Sequence, residues 1–167
     1  APGVKALTRF FTALEGIPGV RGNFPVNDPN RTVGAAYVQR IILSEEIVER
    51  VPNTVIAEAI RAEGARCSPG GYPCHHLSPF WNECDVYGDG KPSRIAFSKR
   101  DVRQGPGDCP VAEKINTRLL SVPRMIQYDE EYVDQLATAY RKALTNLDQL
   151  EGRTASESIT QTRTIVS

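Results

Sequence analysis

"DEEYVDQLATAYRKALTNLDQL", residues 129–150, carries Val133, Leu136, Ala137, Tyr140, Leu144 and Leu147 at three- and four-residue intervals. That spacing predicts one apolar stripe along an α-helix running from Asp129 to about Leu150. Asp129, Glu130 and Glu131 suit the positive end of its dipole. A helix with a single apolar stripe needs a second layer to cover it. The chain just upstream supplies candidates. "LLSVPR" (119–124) reads as a short buried strand, and "CPVAEKINTRLL" (109–120) has helical spacing with Pro110 fit for the first turn.

The N-terminal half reads the same way. Val4, Leu7, Phe11 and Leu14 form one helical stripe, stopped by Gly16, Pro18 and Gly19. A Pro/Asn/Gly-rich loop follows from about Arg21 to Asn30. The β-branched and aromatic run after it predicts a strand from about Ala35 to Leu43. "SEEIVERV" predicts a short helix ended by Pro52. Asn53 or Thr54 is placed to cap the next helix, which buries Val55, Ile56, Ala59 and Ile60 and ends at Gly64. From Ala65 to Gly107 the pattern weakens, with extended pieces expected near "ARCS" and "SRIAF". So long an irregular stretch marks a functional loop or a contact surface. The expected class is α/β (α+β-like), with helices packed on a short, mainly antiparallel sheet. It spans residues 1–151, and a polar tail follows at 152–167.

Length and composition narrow the function. The 167 residues allow one ordinary domain, 40% hydrophobic and 24% charged, as in soluble globular proteins. Twenty Lys and Arg balance twenty Asp and Glu, so there is no overall electrostatic footprint for nucleic acid or an anionic membrane. No apolar run approaches the roughly 20 residues of a membrane span. Cys67, Cys74, Cys84 and Cys109 are too sparse for a disulfide scaffold, which points to a reduced, cytoplasmic protein. Position 1 is Ala and the one Met is Met125, so either an initiator was removed or the chain was cut from a longer one.

The chemistry-bearing residues gather in the irregular stretch. Cys74, His75, His76 and Cys84 are all legitimate zinc ligands, but adjacent histidines on an extended chain point apart and no C-x-x-C pair exists. No metal is expected there. "DVYGDGKPSRIA" places Asp85, Asp89 and Gly90 at calcium-loop positions one, five and six. Tyr87 at position three and Ala96 at position twelve break that pattern. There is no G-x-S-x-G elbow, phosphate-binding P-loop or G-x-G-x-x-G.

Five segments in order, "LEGIPGV", "AAYVQRIIL", "VIAEAIRAEGARCSPGGYPCHHLSPFW", "CPVAEKINTRLLSVPRM" and "DEEYVDQLATAYRKAL", give the chain a broader likeness. Together they resemble the C-terminal small domain of the DegT/DnrJ/StrS family, the sugar and aminocyclitol aminotransferases of pyridoxal-phosphate fold type I. The likeness covers roughly residues 3 to 148. Its motifs are an I-P-G turn, a G-Y-P-x-x-H-x-x-P loop, a P-x-A-E helix and an L-S-x-P strand. His76 falls on the loop histidine, Pro79 on its proline and Trp81 near an aromatic position, while Asn82–Gly107 is longer than the family pattern.

The resemblance implies that the catalytic lysine and the pyridoxal-phosphate anchors lie in an N-terminal large domain outside this chain. No catalytic residue is then expected here, and the chain alone would bind no cofactor. Lys99 in "AFSKRD" has charged neighbours and reads as a solvated lysine. The implied partners are that large domain, a second subunit in a homodimer, and a keto-sugar or keto-cyclitol aminated from glutamate or glutamine. Tyr72, His75 and His76 are the candidates for lining the substrate pocket. The alternative for each is packing of the loop on the helix layer. The competing function is a non-catalytic binding or assembly module that keeps the small-domain fold.

Overall fold

Pro2 opens α1 (Pro2–Leu14) at the position where its missing N–H costs nothing. The structure, a computed structural model, describes residues 1–24, 30, 33 and 37–155. It divides into two units, residues Ala1–Gly70 with the chain from Arg118 onward, and Gly71–Thr117.

The first unit holds a three-stranded antiparallel sheet of β1 (Val20–Gly22), β2 (Gln39–Leu43) and β3 (Leu119–Val122), with β2 in the centre. Gly22 lies opposite Ile41 across β1–β2, and Ile41 opposite Leu120 across β2–β3. Ile41, Leu43, Leu120 and Val122 are buried, as the two-residue period of a half-covered sheet requires. The cover comes from α1, α3 (Asn53–Ala62) and α6 (Glu130–Thr145). α1 and α3 both pack on α6 and reach the sheet at β1 and β3. This is the helix-on-antiparallel-sheet class expected from the sequence. Between β2 and α3, Ser44 caps the short α2 (Glu45–Arg50) by accepting from the Ile47 N–H at 3.3 Å.

Aromatic rings join the layers. Phe10 meets Phe11 and Tyr140 edge-on, each pair with centroids 5.2 Å apart, and Phe11 stacks on Phe24. A Cβ on Gly22 would collide with the Phe11 ring, so this strand position needs glycine. Phe10 lies outside the stripe read from the sequence, yet it is fully buried, whereas Val4 within that stripe is half-buried.

Other local expectations are corrected. Asn53 and Thr54 do not cap α3, because Pro52 holds the N-cap and the Asn53 amide donates to the Leu119 carbonyl at 3.0 Å. Ala59 is half-buried. α6 stops at Thr145, and Leu147 belongs to a separate 3-10 turn, Leu147–Gln149. The piece near "ARCS" does run beside β3, where Ser121 N–H donates to the Ser68 carbonyl at 2.8 Å and Pro69 bridges Leu120. "SRIAF" forms turns, with Ser98 N–H donating to the Ile95 carbonyl. Ala35, Ala36 and the tail beyond Ala155 lie outside the described residues. No helix among the described residues is long and apolar enough to cross a membrane.

The second unit has little regular structure: a 3-10 turn at His75–Leu77, α4 (Pro79–Asn82) and α5 (Pro110–Asn116). Of its residues just His76 and Ala96 are buried.

Candidate functional site

Helix α5 organises the second unit. Pro110 starts it, and Glu113 in its first turn reaches back to accept from the N–H groups of Gly107 at 3.0 Å and Cys109 at 3.3 Å. The reach resembles a capping box, satisfying backbone donors that the helix itself cannot. These bonds, the Gly107 N–H first and the His76 ring second, hold the Glu113 carboxyl below the usual glutamate range.

Three of the sequence-derived site residues lie along α5. His76 is 6% exposed, and its Nε2 sits 2.8 Å from Glu113 Oε1. An ionised carboxylate only accepts, so Nε2 carries the ring proton and donates it. The His76 carbonyl in turn accepts from Asn82 Nδ2 at 2.7 Å. Tyr72 is 62% exposed, but its carbonyl accepts from Asn116 Nδ2 at 3.0 Å. His75 is exposed, and its carbonyl accepts from Ser78 N–H. The loop therefore shows Tyr72 and His75 to solvent and turns His76 inward.

The metal-like patterns resolve into other contacts. Cys74 Sγ donates to the Ala112 carbonyl at 3.5 Å, and Cys109 Sγ accepts from Gln104 Nε2 at 3.8 Å. Cys84 is exposed, and all four thiols are free. Among the described residues no group of three or more His, Cys, Asp or Glu could hold a metal ion. In the calcium-like loop, Asp85 accepts from the N–H groups of Gly88 and Gly90, both at 2.7 Å, and of Asp89 at 3.2 Å. Its carboxyl is held low, chiefly by the Gly90 bond. Those bonds stabilise the turn.

Pyridoxal phosphate does not fit the lysines present. A Schiff-base amine needs a desolvated pocket, and Lys5, Lys91, Lys99, Lys114 and Lys142 are all exposed. Lys142 pairs with Glu63 at 2.7 Å, and Lys5 lies over the Tyr128 ring. In the first unit, a broad groove along α6 is lined by Glu63, Glu130, Glu131 and Asp134. Three of those carboxylates already hold cations, Glu63 with Lys142 and both Glu130 and Asp134 with Arg9.

Sequence reasoning singled out Tyr72, His75 and His76 and missed Glu113 and Asn116. Glu113 stands 37 positions from its histidine partner, and no local pattern links the two. The P-x-A-E motif contained Glu113 but gave it no task. Asn116 carried no signal. No protein-family model matches the chain, and no curated protein matches it.

Proposed function

We propose that this chain is the small domain of a pyridoxal-phosphate-dependent aminotransferase of the DegT/DnrJ/StrS type. That enzyme passes an amino group from glutamate or glutamine to a keto-sugar or keto-cyclitol in the cytoplasm. One observation carries the reading beyond the motif likeness. In the unit Gly71–Thr117, Tyr72, Phe80, Trp81, Tyr87, Phe97 and Val111 are exposed. A surface so rich in large apolar side chains suits a face that another protein surface covers. The small domain of such an enzyme has that need, since it closes over a large domain and a neighbouring subunit.

Within this reading the chain's residues bind, orient and exclude water. Tyr72 and His75 offer a hydroxyl and an imidazole for substrate oxygens or a carboxylate. His76 braces the loop through Glu113. The cofactor supplies the electron sink from the large domain.

Spectroscopy and turnover test the proposal together. Pyridoxal phosphate added to the purified chain should give no saturable bound-cofactor absorbance. The product translated together with the coding sequence preceding Ala1 should bind the cofactor and transfer the amino group of L-glutamate or L-glutamine. Borohydride fixing the cofactor to one lysine of this chain, such as Lys99, would overturn the placement. A longer product that neither binds cofactor nor transfers would favour the non-catalytic module.

A further inference from the structure

The loop Gly71–His76 runs antiparallel along α5 and is tied to it at successive points. Asn116 Oδ1 accepts from the Gly71 N–H at 2.7 Å while its Nδ2 donates to the Tyr72 carbonyl at 3.0 Å. One turn earlier, the Ala112 carbonyl takes the Cys74 thiol and Glu113 takes the His76 ring. Residues 112, 113 and 116 share one face of a helix. The side chains left unbound on the loop are those of Tyr72, Pro73 and His75, and all three are exposed.

We infer that Asn116 and Glu113 are positioning residues. They strap the loop to α5 at both ends, so that Tyr72 and His75 are presented as a fixed pair. A tyrosine and a histidine on a free loop would spend binding energy on becoming ordered, and a pre-shaped loop avoids that cost. The Asn116 amide is suited to its end because it both accepts and donates. An aspartate there could take the Gly71 N–H but could not serve the Tyr72 carbonyl. The strap stands on its own geometry. What the presented pair meets rests on the aminotransferase reading above.

The experiment has two arms. In the purified chain, hydrogen exchange at the Gly71 amide and the chemical shift of the Tyr72 carbonyl carbon are followed by NMR. Asn116→Ala should speed Gly71 exchange about tenfold, the factor expected for loss of one hydrogen bond. Asn116→Asp should keep Gly71 slow yet shift the Tyr72 carbonyl resonance. Glu113→Ala should broaden the His75 and His76 ring signals, and Glu113→Gln, which keeps an acceptor, should largely restore them. Unchanged Gly71 exchange in Asn116→Ala would overturn the strap. In the longer cofactor-bound product, the half-reaction with L-glutamate is read from cofactor absorbance. Asn116→Ala should raise KM for L-glutamate and leave cofactor affinity as it was. Faster Gly71 exchange with unchanged KM and kcat would overturn the presenting role. A wild-type product without transamination would instead sink the aminotransferase reading and leave the strap to the first arm.

Discussion

The Tyr140 hydroxyl lies 2.6 Å from the Ser121 carbonyl oxygen, joining the middle of α6 to β3. The Arg66 carbonyl is almost as near, at 2.7 Å, so one phenolic hydrogen serves two acceptors. Burial pushes the Tyr140 hydroxyl well above its ordinary pKa, and it pushes the neighbouring Cys67 thiol up to about 11. Tyr140→Phe keeps the ring contact with Phe10 but leaves both carbonyls without that donor. The expected loss is about 1–3 kcal/mol, read from the denaturant midpoint with an unchanged m-value. A variant as stable as the parent would show that the ring alone anchors α6.

Leu136 lies one turn before Tyr140 on the same stripe and is 4% exposed. Leu136→Ala should cost about 2–5 kcal/mol, the transfer term plus the cavity it leaves. In a domain of this size that is a large share of the stability. Equilibrium urea unfolding checks it, and a midpoint equal to that of the parent would refute the packing assigned to α6.

Acid should loosen the second unit through Glu113. Its carboxyl is held below the ordinary value of about 4.3, first by the Gly107 N–H and then by His76. A carboxylate depressed on folding contributes stability that is fully present above its unfolded pKa and lost as pH falls through the folded one. Asp85 and Asp101, the latter lowered to about 2 by Arg103, act in the same direction. Trp81 is the sole tryptophan and sits in this unit, so its emission reports the transition. In Glu113→Gln the acid transition should be shallower, because one of the three carboxylates held low in this unit is gone. Identical acid titrations of the two proteins would contradict the role given to Glu113.

Zinc should not stabilise the chain. The His76 ring is engaged with Glu113 and the Cys74 thiol faces a helix carbonyl. A structural zinc contributes folding energy outright. Chelator should therefore leave the Tm unchanged, and metal analysis should find well under one zinc per chain. A stoichiometric metal lost together with Tm would overturn the assignment of these contacts.

What the sequence revealed depended on whether the signal was local. The α6 stripe and its acidic start could be read within a few residues of each other, and there the structure makes Asp129 the N-cap, its carboxylate accepting from Tyr132 N–H at 3.1 Å. So could Pro110 at the start of α5. Asn53 misled because its amide leaves the helix end for a carbonyl 66 positions away. "SRIAF" has strand-like composition, but its neighbours hold it in turns: Arg94 pairs with Gln104, and Arg94 N–H donates to the Trp81 carbonyl. The candidate site was legible as a set of residues and not as an arrangement. His76 could be picked out by its type, but which way it faced was decided by a glutamate far along the chain.

The Gly70 N–H donates to the Leu119 carbonyl at 2.8 Å, so the two ends of the first unit meet where the second unit leaves and returns. The sheet and helices thus form a closed frame into which Gly71–Thr117 is spliced as a cassette. For a flexible connection, halving its length changes the closure cost by only about 0.6 kcal/mol. The frame can therefore accept a longer, shorter or wholly different cassette at little cost to itself. Evolution or an engineer can rewrite the exposed surface of that cassette without renegotiating the core. The same splice sets the order of synthesis, since β2 must wait for the entire cassette to be made before β3 exists to pair with it.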